Sequence, residues 1–333
     1  MGERAILTFN KNGYDPFIDF LKAYSIVMVV VAHILPPASY KYILFWVWGD
    51  MQVPMFVLIQ VFHAYKKDRR PTLKWSSLIK RIIIPFVIIQ ALILGFKVLV
   101  SNEIPRFMLV SGLLGGGFGP GSYYIWIYLQ IAVLLVVIWP WLKMLSLNQA
   151  IISFLFISVV FEILFSVSNC PEALYRVLCA RYLFLIPLGL IWVEKGVVLN
   201  RGTILLSILS IIAVLFFVLT DYNLEPLFFN TRWRFHRWIC YFYLPSLLTY
   251  VLYLVWVSVR RITWVESLVR WIAARSYEVF LAQMAVIACI KTLSPSIVSN
   301  RVIAFVLFAI IVFAFSFSLG GFVFWFEKKI LKW

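Results

Sequence analysis

The chain has 333 residues, of which 63% are hydrophobic and only 13% charged, and its mean hydropathy is +0.96. A soluble domain is roughly half apolar and a quarter charged, so a water-soluble core is excluded. The formal net charge of +16 would point to nucleic acid in a soluble protein, but here the cations sit in short loops between apolar runs, where they read as topology signals and contacts to anionic lipid.

The apolar runs are about 20 residues long and do not alternate in polarity, which makes them helices rather than barrel strands. Ten spans are expected, over residues 18–36, 43–65, 76–97, 121–142, 149–168, 177–194, 203–220, 237–258, 276–292 and 301–326. The expected fold class is therefore an all-α polytopic membrane protein, one bundle forming a single domain over 1–333. With the N-terminus in the cytoplasm, about two thirds of the 30 Lys and Arg residues lie inside, which places both termini there. The polar opening stretch carries no pattern of a cleavable signal peptide. Cys170, Cys179, Cys240 and Cys289 have no metal-ligand spacing. They read as free thiols, with a Cys170–Cys179 disulfide as the alternative, and no metal is expected.

The first span, YDPFIDFLKAYSIVMVVVAHILPP (14–37), begins polar and turns apolar until His33. Lys22 and His33 are eleven residues apart, close to three full helical turns. Both therefore lie on one helix face, ~16 Å apart along the axis. Asp19, three residues before Lys22, is within ion-pair reach of it. One face thus offers charge at the inner end and an imidazole deep in the bilayer. That suits a long ligand with an anionic head inside and its reactive end near His33. A neutral imidazole can act as a general base on a hydroxyl. The competing reading is a histidine hydrogen-bonded between helices, and the spacing alone leaves the two about equal.

The second span, WGDMQVPMFVLIQVFHAY (48–65), is kinked or begins irregularly at Pro54. The loop after it, KKDRRPTLKWSSLIKR (66–81), is the most basic stretch of the chain. It reads as a topology anchor or as a dock for an anionic cytoplasmic ligand. Its last two residues, Lys80 and Arg81, would snorkel to headgroups or grip phosphates. The segment GLLGGGFGPGSYY (112–124) is not a phosphate loop, because no Gly-Lys-Ser/Thr follows. It reads as a flexible loop or re-entrant turn, with Tyr123, Tyr124 and Trp126 at the interface; a lid over an outward acceptor site is the weaker reading.

Glu162, inside the fifth span, should face the bundle interior, with Arg181 as a candidate partner. The stretch NTRWRFHRW (230–238) reads as an interfacial amphipathic segment or as a surface for an anionic sugar-bearing acceptor. In ARSYEVFLAQMAVI (274–287), Arg275 and Glu278 can pair across one turn, and Gln283 faces a neighbouring helix or a cavity. His63 and His236 lie near interfaces and read as structural.

The first span resembles acyltransferase family 3, whose first helix reads approximately Asp-x-Leu-Lys/Arg followed by an apolar run ending in His. Here the matching residues are Asp19, Leu21, Lys22 and His33. VPMFVLIQV (53–61) is similar to the family's Pro-Leu-Phe-Phe…Ser-Gly motif, with Gln60-Val61 in place of Ser-Gly. KRIIIPF (80–86) resembles the basic entry to the third span, and YYIWIYLQI (123–131) the aromatic start of the fourth. SYEVFLAQ (276–283) resembles a late Ser-Tyr-x-x-Tyr-Leu-x-His motif, with Gln283 in the histidine position.

The resemblance implies that His33 is catalytic and that acyl-CoA, usually acetyl-CoA, is the donor. It implies that Lys22 and Arg81 lie in or near the CoA site, with Lys80 beside them. The acceptor would be a hydroxyl of an outward-facing envelope sugar or lipid-linked sugar, at a bacterial inner membrane. Asp19, Glu162, Tyr124, Trp126 and Gln283 are the candidate acceptor-side or supporting residues. The rival reading is a polysaccharide or lipid-linked sugar exporter or flippase that uses His33 and Glu162 as a proton relay.

Overall fold

The computed structural model describes residues 5–11, 13–36, 39–67, 70–101, 109–110, 112, 114–219, 240–293 and 302–329. The expected stretch 230–238 lies outside these residues, as does much of the 98–120 loop. What is described is almost entirely helical.

Helix α1 (Pro16–Ile34) starts where Asp15 accepts the Phe17 N–H at 3.0 Å and Pro16 supplies a preset first turn. It ends at Leu35-Pro36, and Pro36 has no N–H with which to continue the helix. The short helix α2 (Phe45–Trp48) and α3 (Gln52–Tyr65) together form the second apolar segment. Next come α4 (Trp75–Val100), α5 (Tyr123–Val137), α6 (Leu147–Val167), α7 (Leu185–Glu194) and α8 (Arg201–Leu219). The C-terminal third holds α9 (Leu244–Val259), α10 (Thr263–Ala274), α11 (Ser276–Leu293) and α12 (Val302–Lys329).

Each of the ten expected spans coincides with helix, but not with ten full-length spans. Among the described residues, five helical segments are long and apolar enough to cross a membrane, or six if the pair α10 and α11, bent by 71° between them, counts as one. The helices in the expected spans at 121–142, 177–194 and 237–258 are shorter. Proline and turn chemistry explain two of these. Residues 179–182 form a 3-10 turn before α7, and the start of α9 is a π-helical turn carrying Pro245.

Two elements were not expected from the sequence. Ala5–Leu7 (β1) pairs antiparallel with Val197–Val198 (β2). This pairing puts the N-terminal strand and the loop after α7 on one face of the bundle. The second is α10, which occupies residues taken as a basic loop. Its Val269 and Ala273 are buried, while Trp264 and Arg270 are exposed. Arg275 sits in the break between α10 and α11, where its guanidinium stacks on Trp271 at 4.6 Å and on Phe324 at 4.4 Å.

Helix α1 touches α3, α9, α10, α11 and α12, so it is the centre of the bundle. Its first half, through Phe17 and Leu21, belongs to one buried cluster with Phe62 and Trp192. Its second half, through Val29, Val30 and Ile34, belongs to another with Phe118, Phe280 and Met284. Phe280 of that second cluster lines the same cavity as His33.

Candidate functional site

A cavity of ≈ 980 Å³ runs alongside α1 and α3, and its lining includes both Lys22 and His33. These helices are antiparallel neighbours, so Lys22 and His63 mark one end and His33 and Gln52 the other. Lys22 and His33 on α1, and Gln52 and His63 on α3, are each eleven residues apart, ~16 Å of axial rise. The cavity is therefore a passage, basic at one end and carrying an imidazole at the other.

The Lys22 end is built by the loop before α4. Lys67, Arg70, Lys74 and Arg81 line it, with Thr72 and Ser77 between them. Asp19 holds Lys22 in an ion pair at 3.3 Å, as its spacing predicted. Arg81 sits in a π-helical turn, Ile79–Ile83. The extra residue in that turn shifts the phase of α4. Arg81 then lines the cavity and Lys80, equally basic and exposed, does not. Tyr277 of α11 donates to the Ile82 carbonyl of the same turn at 2.6 Å.

The middle of the passage follows α3. Phe56, Ile59, Gln60 and Ala64 line it opposite Tyr124 and Tyr128 of α5. Gln60 donates to the Tyr128 carbonyl at 3.0 Å, and its own buried oxygen has no hydrogen-bond partner.

The His33 end is bounded by the glycine-rich segment, whose described residues form a hydrogen-bonded turn. Gly116, Gly117, Gly119 and Gly121 all have positive φ. Gly117 N–H donates to the Gly112 carbonyl at 2.7 Å, and Trp126 Nε1 donates to the Gly116 carbonyl at 2.8 Å. Gln90 of α4 accepts from Phe118 N, and Gln283 of α11 donates to the Pro120 carbonyl at 3.2 Å. A β-carbon at Gly121 would stand 3.2 Å from His33 Nε2 and 3.1 Å from the Phe280 ring. The turn thus lies directly against the imidazole.

Asp50, Gln52, Tyr123 and Arg176 complete the His33 end. Gln52 is 7% exposed; its amide nitrogen donates to Asp50 Oδ1 at 3.4 Å, and among the described residues its buried oxygen has no partner. Gln130 of α5 donates to the Val177 carbonyl at 2.6 Å and accepts from Cys179 N at 3.0 Å. This clasp brings Arg176 and the buried Arg181 onto Tyr123, at 5.0 and 5.1 Å from its ring.

Of the residues singled out in the sequence, Lys22, His33, Arg81 and Tyr124 line the passage. Lys80, Asp19, Glu162, Trp126 and Gln283 do not. Glu162 is buried and accepts a hydrogen bond from the Tyr175 hydroxyl, away from the passage that holds His33. Trp126 is 45% exposed and anchors the glycine turn instead. His63, which the sequence reads as structural, lines the passage. Asp50, Gln52 and Arg176 carried no signal, because each reaches the passage through tertiary packing. Cys170, Cys179 and Cys289 are free thiols. Among the described residues no group of three His, Cys, Asp or Glu could hold a metal ion.

These features define a helical membrane protein with a polar passage between a basic mouth and a half-buried imidazole. The chain belongs to acyltransferase family 3: the family model described as "Acyltransferase domain" matches residues 15–321, nearly its whole length. No curated protein and no solved structure matches it.

Proposed function

We propose that this acyltransferase moves an acetyl group from cytoplasmic acetyl-CoA to a hydroxyl of an outward-facing envelope sugar or polysaccharide at a bacterial inner membrane. The observation that carries the reading is the single passage lined at one end by Lys67, Arg70, Lys74 and Arg81 and at the other by His33. Four cations around one mouth suit the phosphates of CoA, and Arg binds phosphate in bidentate fashion. The excess of Lys and Arg on the side of the N-terminus supports a cytoplasmic mouth. The β1–β2 pair fits, since both strands then lie on the cytoplasmic face.

CoA would enter head-outward into the cytosol, with its thiol-bearing arm along Ala64, Gln60 and Phe56. The thioester carbonyl would lie beside His33. In its neutral form the imidazole takes the proton of the acceptor hydroxyl as the oxygen attacks that carbonyl. The C–S bond then breaks, and the imidazolium returns the proton to the departing CoA thiolate. Asp50 and the Gln52 oxygen, both hydrogen-bond acceptors, would receive neighbouring hydroxyls of the sugar. Lys22 would hold the inner end of the donor, and Asp19 keeps Lys22 in place. Glu162, paired with Tyr175, serves the fold around Tyr123 rather than the transfer.

The test is His33→Ala, read by two measurements. Acetylation of envelope glycans in intact cells should be lost, while thermal stabilisation of the purified variant by CoA is retained. Unchanged acetylation would overturn the assignment of His33.

A further inference from the structure

The glycine turn and α11 meet at three points on one helix face. A β-carbon at Gly119 would stand 3.2 Å from the Met284 carbonyl, one at Gly121 would stand 3.1 Å from Phe280, and between them Gln283 donates to the Pro120 carbonyl at 3.2 Å. Phe280, Gln283 and Met284 are spaced i, i+3 and i+4, so all three face the turn together. Gln283 is fully buried at 0% exposure, outside the passage, and among the described residues its oxygen has no hydrogen-bond partner. Its amide is held in the core by the one bond to Pro120. The next residue, Gly121, is the backbone that abuts His33 Nε2.

We infer that Gln283 is a positioning residue for His33: by holding the Pro120 carbonyl it keeps Gly121 seated against the imidazole and fixes where the ring points in the passage. Pro120 cannot itself donate a hydrogen bond, so its carbonyl is the handle by which α11 can hold this part of the turn. Gly121 has φ of +82°, a left-handed conformation in which a side chain would be strained as well as crowded. The turn therefore fits the ring only with glycine at 121, and only while the turn stays on α11. Gln90 grips the other limb of the turn through Phe118 N, so loss of Gln283 would free the Pro120–Gly121 limb and leave the rest in place.

The chain has three histidines, His33, His63 and His236. Replacing His63 and His236 by Gln leaves His33 as the sole imidazole, whose carbethoxylation by diethyl pyrocarbonate can be followed by mass spectrometry on the purified full-length protein. This readout does not depend on the transfer reaction. Gln283→Met keeps the side-chain volume and removes the donor. It should speed modification of His33 by about fivefold, the scale of one lost hydrogen bond. Gln283→His, which restores an N–H donor and whose own imidazole is resolved from His33 on a separate peptide in the mass spectrum, should return the rate at His33 to within about twofold of the parent. Gln283→Asn, polar but too short to reach Pro120, should behave like the Met variant and serves if the Met variant does not fold. Stabilisation by CoA should persist in all three, because the basic mouth is ~16 Å away along α1. Equal modification rates in the parent and the Asn or Met variants would overturn the inference, as would a His variant no different from Met. Loss of transfer in His33→Ala tests the proposed reaction separately.

Discussion

The two ends of the passage are built on opposite principles. At the Lys22 end, the cations Lys67, Arg70, Lys74 and Arg81 stand on exposed backbone and exposed side chains. Charge there acts through space, several groups share the task, and small displacements cost little. At the His33 end, one imidazole is bracketed by Gly121 and the buried cluster of Phe280 and Met284. The turn beside it is held by Gln90, Gln283 and Trp126. The first end selects a class of ligand; the second fixes the position of one ring. Substitutions should therefore be graded at the mouth and close to all-or-none at the imidazole.

The largest effect is expected for His33→Ala, which should reduce transfer by about 10²- to 10⁴-fold, the usual contribution of a general base. Gly121→Ala comes next. Its β-carbon would press on Nε2 at 3.2 Å in a backbone conformation that costs about 1–2 kcal/mol with a side chain. Steady-state kinetics should show kcat falling by about tenfold or more, equivalent to about 1.4 kcal/mol, with KM for acetyl-CoA unchanged. Gly95→Ala is the control: nothing lies within 4 Å of a β-carbon there, and in a helix interior it should raise thermal stability slightly.

At the basic mouth the pattern reverses. Arg81→Ala should raise KM for acetyl-CoA by about tenfold, the scale of one charge-assisted hydrogen bond, with kcat kept. The difference should shrink as salt is added, because exposed charges are screened. The smallest effect belongs to Lys80→Ala. It is adjacent in sequence to Arg81 but outside the passage, so KM should move by less than about twofold. Equal effects of Lys80→Ala and Arg81→Ala would show that general charge, not the π-helical turn, sets donor affinity.

The contrast also explains what the sequence alone could deliver. Lys22 and His33 were legible because a regular helix converts an eleven-residue spacing into one face, and α1 is regular throughout. The basic loop was legible as charge. Which of Lys80 and Arg81 faces the passage was not, because a π-helical turn breaks the periodicity from which facing is read. The glycine turn carried only composition; its rigidity comes from Gln90 and Gln283, far away in the chain. Helix α10 was missed because its charges, Arg270 and Glu266, lie on an exposed face and pair with each other at 2.9 Å. The sequence reads ten apolar segments as ten spans; among the described residues five or six pass on length and apolarity, and for a short helix such as α7, mostly buried in the bundle, apolarity alone does not separate a span from a buried helix.

The account stands on donor and imidazole sharing one passage. Wild-type protein and His33→Ala, reconstituted in vesicles with envelope glycan on the far side, can be compared by release of the CoA thiol from acetyl-CoA. The wild type should release thiol in step with acetyl ester formed on the glycan, and His33→Ala should bind CoA yet release almost none. Release by His33→Ala at the wild-type rate would contradict the account.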